Sequence, residues 1–215
     1  MKRLRMHLDF ISPYAYLAFE RLPDALEGLS VEVRYEPLLF AGLLQHWGTK
    51  GPAEVEPKRA WTFRQIAWLA QQQGTAIDTP AQHPFNPLAL LRLALATAPA
   101  GGTPNRRSCE LIFEHVWRGG LDANDPARLE ALRQRLALRR DPAGDEVKRE
   151  LKAATEAAAA RGIFGVPTFE LEDGRLFWGL DALPMLAACL RGDAWFDGPA
   201  WGAAGAARPG VRRGG

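Results

Sequence analysis

The sequence predicts an α/β fold in which strand, helix and strand open the chain, two strands and a helix close it, and a helical stretch separates the two pieces. Three observations carry this. Apolar and polar residues alternate over residues 4–11 (LRMHLDFI) and again over 31–39 (VEVRYEPLL), which is the period of a half-buried strand. From Phe40 to about Arg161 the alternation gives way to Ala, Leu, Gln and Arg recurring at helical spacing. It returns at Val166.

The first strand presents Leu4, Met6, Leu8 and Phe10 on its apolar face. Ser12 follows with N-cap chemistry, and Pro13 suits the first helical position, where a missing N–H costs nothing. Tyr14, Leu17, Ala18, Arg21 and Leu22 continue at helical spacing, and the strand at 31–39 completes a βαβ unit. In the middle the expected helices are 57–73, 86–98, 104–119, 126–138 and 143–161. Gly74, the Pro80 to Pro84 stretch, the Pro99 to Thr103 loop, Gly119-Gly120 and Asp141-Pro142 break them apart. Val166 to Leu171 and Arg175 to Trp178 form a hairpin around Glu172-Asp173-Gly174. Asp181 is expected to cap a last helix, ALPMLAACLR. The two β-bearing pieces must meet to make one sheet, which gives the thioredoxin topology with a large all-helical insertion. Residues 1–40 and 162–198 form the thioredoxin-like domain, 41–161 the helical insertion, and 199–215 a flexible Gly/Ala/Arg tail.

Composition excludes several functions. The chain of 215 residues suffices for one well-packed domain with an insertion, and it carries no repeat of fixed period. A net charge of +2, with the basic residues dispersed, argues against a nucleic-acid surface. No stretch is long and apolar enough to span a bilayer, and Arg5, His7 and Asp9 interrupt any leader-like run, so a cytoplasmic protein is expected. Cys109 and Cys189 are far apart and fit neither a C-x-x-C pair nor a metal cluster; His7, His46, His83 and His115 are equally scattered, and no metal site is expected.

Chemistry concentrates at Ser12-Pro13, between strand and helix, and at Val166-Pro167-Thr168, which enters a later strand. Ser12 and Ala15 occupy both positions of a thioredoxin-type C-x-x-C, which disfavours disulfide exchange. Ser12 is a helix cap, a donor to a thiolate sulfur, or both, since one hydroxyl can accept from backbone and donate to sulfur. Asp181 and Asn86 serve as helix caps or as ligand contacts. Lys58 and Arg59 suit a substrate carboxylate or form a solvated face. Trp61, Trp68 and Trp117 are core residues or walls of an aromatic pocket.

DFISPYAYLAFERL, the GTKGP segment with Lys58 after it, HPFNPLALLRLA and TEAAAARGIFGVPTFELEDGRLFWGLDAL together resemble the 2-hydroxychromene-2-carboxylate isomerase family. That family is related to kappa-class glutathione transferases and DsbA-like thiol oxidoreductases. The resemblance spans about Leu8 to Leu183. It implies a thioredoxin-like domain with a helical insertion, homodimer formation and glutathione as cofactor. It also implies Ser12 as the catalytic serine and a cis proline at Pro167 that exposes the backbone of Val166. Glutathione contacts at Trp178, Gly179, Leu180 and Asp181 follow from the same resemblance, as do substrate contacts at Lys58, Asn86 and Trp61. Leu180 stands where the family often has Gln or Asn, so its contact would come from backbone, and Thr49 stands where asparagine is common.

A thiol is largely protonated at neutral pH, so an enzyme using glutathione must stabilise the thiolate. A hydrogen bond from Ser12 and the dipole of the helix starting at Pro13 both act in that direction. The function expected is reversible thiolate addition to an unsaturated aromatic acid, an isomerisation. Kappa-type conjugation and non-catalytic binding of glutathione or a peptide are the alternatives.

Overall fold

The computed structural model describes residues 1–206. Four strands form one sheet in the order β2-β1-β3-β4. β1 (Lys2–Leu8) runs parallel to β2 (Val31–Pro37) across the helix α1 (Pro13–Ala25); β3 (Thr168–Leu171) is antiparallel to β1, and β4 (Leu176–Trp178) is antiparallel to β3. This is the thioredoxin-like α/β arrangement expected from the two alternating pieces. Between β2 and β3 lie α2 (Phe40–Trp47), α3 (Glu56–Gln73), α4 (Leu88–Ala96), α5 (Arg106–Trp117), α6 (Pro126–Arg135) and α7 (Asp145–Ala160). After β4 come α8 (Leu183–Arg191) and α9 (Pro199–Gly205). No helix of the described residues is long and apolar enough to cross a membrane.

β1 and β3 are the inner strands, and both carry buried residues on both faces. Leu4, Met6 and Leu8 are fully buried, and His7 is buried with its Nε2 2.7 Å from Glu170 Oε2 on β3. That hydrogen bond, with Arg161 and Arg5 nearby, holds the Glu170 carboxyl below the usual carboxylate range. On the other side of α1, helix α5 contributes Phe113 and Trp117 to an aromatic cluster. Phe113 lies 4.8 Å from Phe10 and 5.0 Å from Phe19, centroid to centroid, and Trp117 stacks on Tyr16 at 6.4 Å. The insertion therefore shares the core of the sheet domain through α1 and α5.

Four expectations are corrected. β1 ends at Leu8 rather than Ile11, because Asp9 to Ser12 fold into a turn instead of continuing the ladder. Helix α2 was absent from the expected helices; its eight residues are too short for a periodic signal, and Gly48, at φ 62°, ends it in the left-handed region. Asp181 does not cap α8: the chain first makes a 3-10 turn over Leu180–Ala182, so the capping position falls on Ala182, which makes no side-chain bond. The expected tail at 199–215 gives way over its first residues to α9, where Trp201 stacks on Phe177 at 5.9 Å and meets Phe196 at 5.4 Å. The remainder of that stretch, residues 207–215, lies outside the described residues.

Trp117 ties the insertion to the end of β1 by donating from Nε1 to Phe10 O at 2.9 Å. Trp117→Phe should keep most of the packing and leave a buried carbonyl without its donor. A loss of about 1–3 kcal/mol is expected, read as a shift in the urea unfolding midpoint at unchanged slope.

Candidate active site

The site forms where β1 leaves the sheet. The turn Asp9 to Ser12 is closed by Ser12 N–H donating to Asp9 O at 3.1 Å. Asp9 also accepts through its side chain, Oδ1 from Ile11 N at 3.2 Å and Oδ2 from Phe40 N at 2.8 Å, so it joins the turn to the start of α2. His83 Nε2 lies 2.9 Å from Ile11 O; a carbonyl only accepts, so this nitrogen carries the proton and Nδ1 is the bare one. Ser12 is thus presented by a turn held from α2, from α5 and from the segment before α4.

Ser12 is the N-cap of α1, in extended backbone conformation, and is 7% exposed. Its Oγ accepts from Ala15 N at 3.2 Å and donates to Val166 O at 3.4 Å. Pro13 has no N–H, so the Tyr14 N–H is the first amide of α1 without a protein acceptor among the described residues. The Val166-Pro167 bond is cis. Among the described residues the Val166 N–H has no protein acceptor either. Pro167 O accepts from Gly179 N at 2.9 Å, which draws the Trp178 to Asp181 segment beside the cis proline. A Cβ on Gly165 would stand 2.6 Å from Trp178 Nε1, so only glycine lets the indole lie against this backbone. Trp178 in turn pairs with Phe164 at 4.8 Å, both rings about half exposed.

A cavity of about 1360 Å³ opens in front of these groups. Ser12, Val166, Pro167, Trp178, Gly179, Leu180 and Asp181 all line it, so the structure brings together every residue expected to hold the cofactor. Lys58, Trp61 and Asn86 do not line it. On α3 the inward face carries Arg59, Thr62 and Phe63, and Lys58 and Trp61 fall outside that face, with Trp61 60% exposed. Asn86 Oδ1 is occupied by Leu88 N at 3.0 Å, a cap one residue ahead of the helix's own capping position. The cations that do reach the cavity are Lys50 and Arg59 near α3, and Arg21 and Arg191 at the end between α1 and α8.

Three wall elements were not foreseen from sequence. Asp9 had counted as a charge interrupting an apolar run and as the first residue of DFISPYAYLAFERL, without a role; its signal is a carboxylate just past the end of a buried strand, three residues before a helix cap. Burial pushes its pKa up to about 7 against the lowering effect of backbone N–H groups, chiefly that of Phe40. His83 opens the HPFNPLALLRLA segment but was assigned no role, and burial holds its pKa down, with Nδ1 buried and unpartnered. Phe40 and Leu44 come from α2. Cys109, fully buried, has its thiol pushed up by desolvation, and that of Cys189 moves the same way, so neither is a ready thiolate.

The structure thus combines a thioredoxin-like sheet, a cis proline at Pro167 facing Ser12 at the start of α1, and no cysteine at either end of the Ser12 to Ala15 motif. The chain matches the DSBA-like thioredoxin domain over residues 3–191 and belongs to that family. It is 28% identical over 202 residues to the 2-hydroxychromene-2-carboxylate isomerase of Sphingobium xenophagum, covering 88% of this chain and 98% of that protein. It is 24% identical over 210 residues to glutathione S-transferase kappa 1 of Homo sapiens, covering 90% and 92% respectively. A solved structure of 2-hydroxychromene-2-carboxylate isomerase superposes with a TM-score of 0.76 at 21% identity, covering 91% of this chain and 97% of the other, which supports the fold. The relatives at full length are enzymes, isomerases and glutathione transferases.

The raised Asp9 pKa makes folding stability fall with pH. Between the unfolded value of 3.8 and the folded value of about 7 the native state holds a proton that the unfolded chain has lost, so stability drops across that window and levels off above it. About three units at about 1.4 kcal/mol each gives a drop on the order of 4 kcal/mol. Urea unfolding of wild type and Asp9→Asn from about pH 4 to about pH 8 measures it: the difference between the two should change in favour of the variant as pH rises.

Proposed function

We propose that the protein is a glutathione-dependent isomerase of the 2-hydroxychromene-2-carboxylate isomerase type, acting on an unsaturated aromatic acid. The observation that carries this is the position of Ser12: its Oγ sits against Val166 O at the N-terminus of α1, on the wall of a large cavity, with alanine rather than cysteine at position 15.

Glutathione fits the groups this wall offers. The Val166 N–H and C=O suit a peptide-like ligand as an added strand, and the Tyr14 N–H and the α1 dipole favour a negative charge beside Ser12. Asp181 lines the same wall and suits an amine. A cavity of about 1360 Å³ exceeds the roughly 300–1,000 Å³ of a single-ligand pocket, leaving room for a second molecule. Phe40, Leu44, Phe63 and Phe85 supply apolar walls for an aromatic ring, and Lys50 and Arg59 are the cations placed for its carboxylate.

When bound, glutathione supplies a thiolate that adds reversibly to a conjugated double bond, so that the bond can rotate before the thiol departs. The chain's own residues hold and orient. Ser12 donates from Oγ to the sulfur, worth about 1.5–3 kcal/mol as a charge-assisted bond, and the helix dipole adds roughly 0.3–2 kcal/mol. Together these lower a thiol pKa by about one to three units. The apolar walls keep water from the reacting carbon. The transferase relative favours a second reading, in which the same wall serves conjugation and a stable thioether is released.

Calorimetric titration should show saturable binding of glutathione, and no heat at millimolar ligand removes both enzymatic readings. With 2-hydroxychromene-2-carboxylate as substrate, a geometric isomer formed only in the presence of glutathione supports isomerisation, while a thioether supports conjugation. Ser12→Ala should raise the pKa of the bound thiol, followed by thiolate absorbance, by about one to two units and slow turnover about 10- to 100-fold. An unchanged thiol titration would reduce Ser12 to a helix cap.

A further inference from the structure

Helix α3, which supplies the cavity with Arg59, Thr62 and Phe63, is held loosely at the end that carries them. Of its 18 residues only Ile66 and Ala70 are buried, so the half of the helix before Ile66 has no buried side chain to fix it. Phe63 meets the His83 ring edge to face at 5.2 Å, a contact that leaves the helix free to slide. The directional anchor is Tyr14, whose hydroxyl donates to Gln65 Oε1 at 2.7 Å. Thr62 hydrogen-bonds the same hydroxyl. Among the described residues Tyr14 is the one residue outside α3 to which side chains of that helix hydrogen-bond.

Tyr14 is also the second residue after Ser12, and its backbone N–H is the first amide of α1 without a protein acceptor among the described residues. One residue thus carries an open amide beside Ser12 on its backbone and the anchor of α3 on its side chain. Tyr14, Thr62 and Gln65 all line the cavity and are only half-buried, so water could satisfy each of them and the bond adds little net stability. Stability therefore does not account for it. Burial pushes the Tyr14 phenol up, and the Asp181 carboxylate adds to the rise, so the hydroxyl keeps its proton and donates throughout the neutral range.

Resting on the reading above, in which the face of α3 receives the aromatic acid, we propose that Tyr14 is a positioning residue that fixes the Arg59 to Phe63 stretch of α3 relative to Ser12 through its bond to Gln65. The wall that holds the thiol and the wall that holds the acid are thereby tied to each other at one point. Tyr14 itself transfers no proton and touches no sulfur. Its effect is to keep Arg59 and Phe63 where a bound acid presents its double bond to the thiol, and a misplacement of about 1 Å is enough to cost a large factor in rate. An acid site held in place before the ligand arrives also loses less on binding than one that must be ordered by it.

The test is a double-variant cycle on Tyr14→Phe and Gln65→Leu, which keep the ring and the side-chain volume and should leave the urea unfolding midpoint close to wild type. It is read by calorimetric binding of trans-2-hydroxycinnamate, an aromatic acid standing in for the substrate, and then by turnover of 2-hydroxychromene-2-carboxylate. Each single variant should weaken the acid about 3- to 10-fold and the double variant no further, because both remove the same bond. KM should rise by a similar factor, while the affinity for glutathione and the pKa of its bound thiol stay at their wild-type values. Losses that add in the double variant overturn the proposal. So does a loss in Tyr14→Phe that Gln65→Leu fails to reproduce, which would make the hydroxyl a direct contact of the substrate, and so does an equal loss of glutathione affinity, which marks general loosening. Unchanged binding of the acid in both variants removes the role of Tyr14 alone, whereas a wild-type protein that gives no heat with the acid at millimolar concentration removes the aromatic-acid reading and this role with it.

Discussion

The turn between β1 and α1 is the constraint on which the rest of the structure depends. A strand that stops and a helix that starts within four residues expose several backbone groups in a place where no water can satisfy them. Here they are met from within the turn and from outside it: Ile11 N by the Asp9 carboxyl and Ser12 N by Asp9 O, Phe10 O by the Trp117 indole, Ile11 O by His83, and the second Asp9 oxygen by Phe40 N. The Trp117 and His83 bonds tie the turn to the insertion, the Phe40 bond ties it to the start of α2, and the bonds within the turn fix the approach to Ser12. The insertion is therefore part of the machinery that aims the serine, as well as the source of the opposite cavity wall. Loss of any one partner would leave a buried polar group unpaired, a cost of about 1–3 kcal/mol, and would loosen the same few atoms.

A serine in this position can do one thing a cysteine cannot: it can favour a thiolate without competing with it for oxidation. Its Oγ accepts from Ala15 N and is shared with Val166 O at 3.4 Å, a long bond that a stronger acceptor such as a thiolate would readily replace. Neither cysteine of the chain intrudes, since Cys109 and Cys189 are both buried and not among the cavity-lining residues. The scaffold keeps a serine at the start of α1 against the cis proline and carries no cysteine on that wall, which suits the proposed use of a ligand's sulfur.

Most of the fold could be read from the sequence because its two signals are strong. The alternation of Leu4, Met6 and Leu8 and of Phe169 and Leu171 reflects a sheet with distinct faces, and the long helices α3 and α7 exceed the length at which helical periodicity becomes unambiguous. The parts that escaped are short or non-local. Helix α2 spans only eight residues, and α9 is written in Gly and Ala with a single anchoring Trp201. Ser12 and the Val166-Pro167 pair were legible because their residue types carry chemistry in isolation, and the structure sets them 3.4 Å apart, Oγ to carbonyl. Asp9 and His83 open two of the segments that carried the resemblance, yet their roles were not legible, because these arise only from what folds around them: a backbone amide 31 residues away for the one and a carbonyl 72 residues away for the other.

The division of labour within the cavity follows from which elements are rigid. Val166, Pro167 and the Trp178 to Asp181 segment hang on β3 and β4, strands whose register is fixed by ladder bonds, including Thr168 opposite both His7 and Trp178. That wall suits a ligand that must always sit the same way. The facing wall comes from α2, the Gly48 to Pro52 loop, α3 and the segment before α4, where short helices and turns join the longer helix and side chains such as Trp47 and Trp61 are exposed. Substitutions there change the shape and charge of the space around Phe40, Phe63 and Arg59 without disturbing the turn that holds Ser12, provided His83, Trp117 and the Phe40 amide keep their bonds. The wall that faces Ser12 can thus vary in shape and charge while the turn stays fixed, and the three bonds from His83, Trp117 and the Phe40 amide to that turn mark the limit of that freedom.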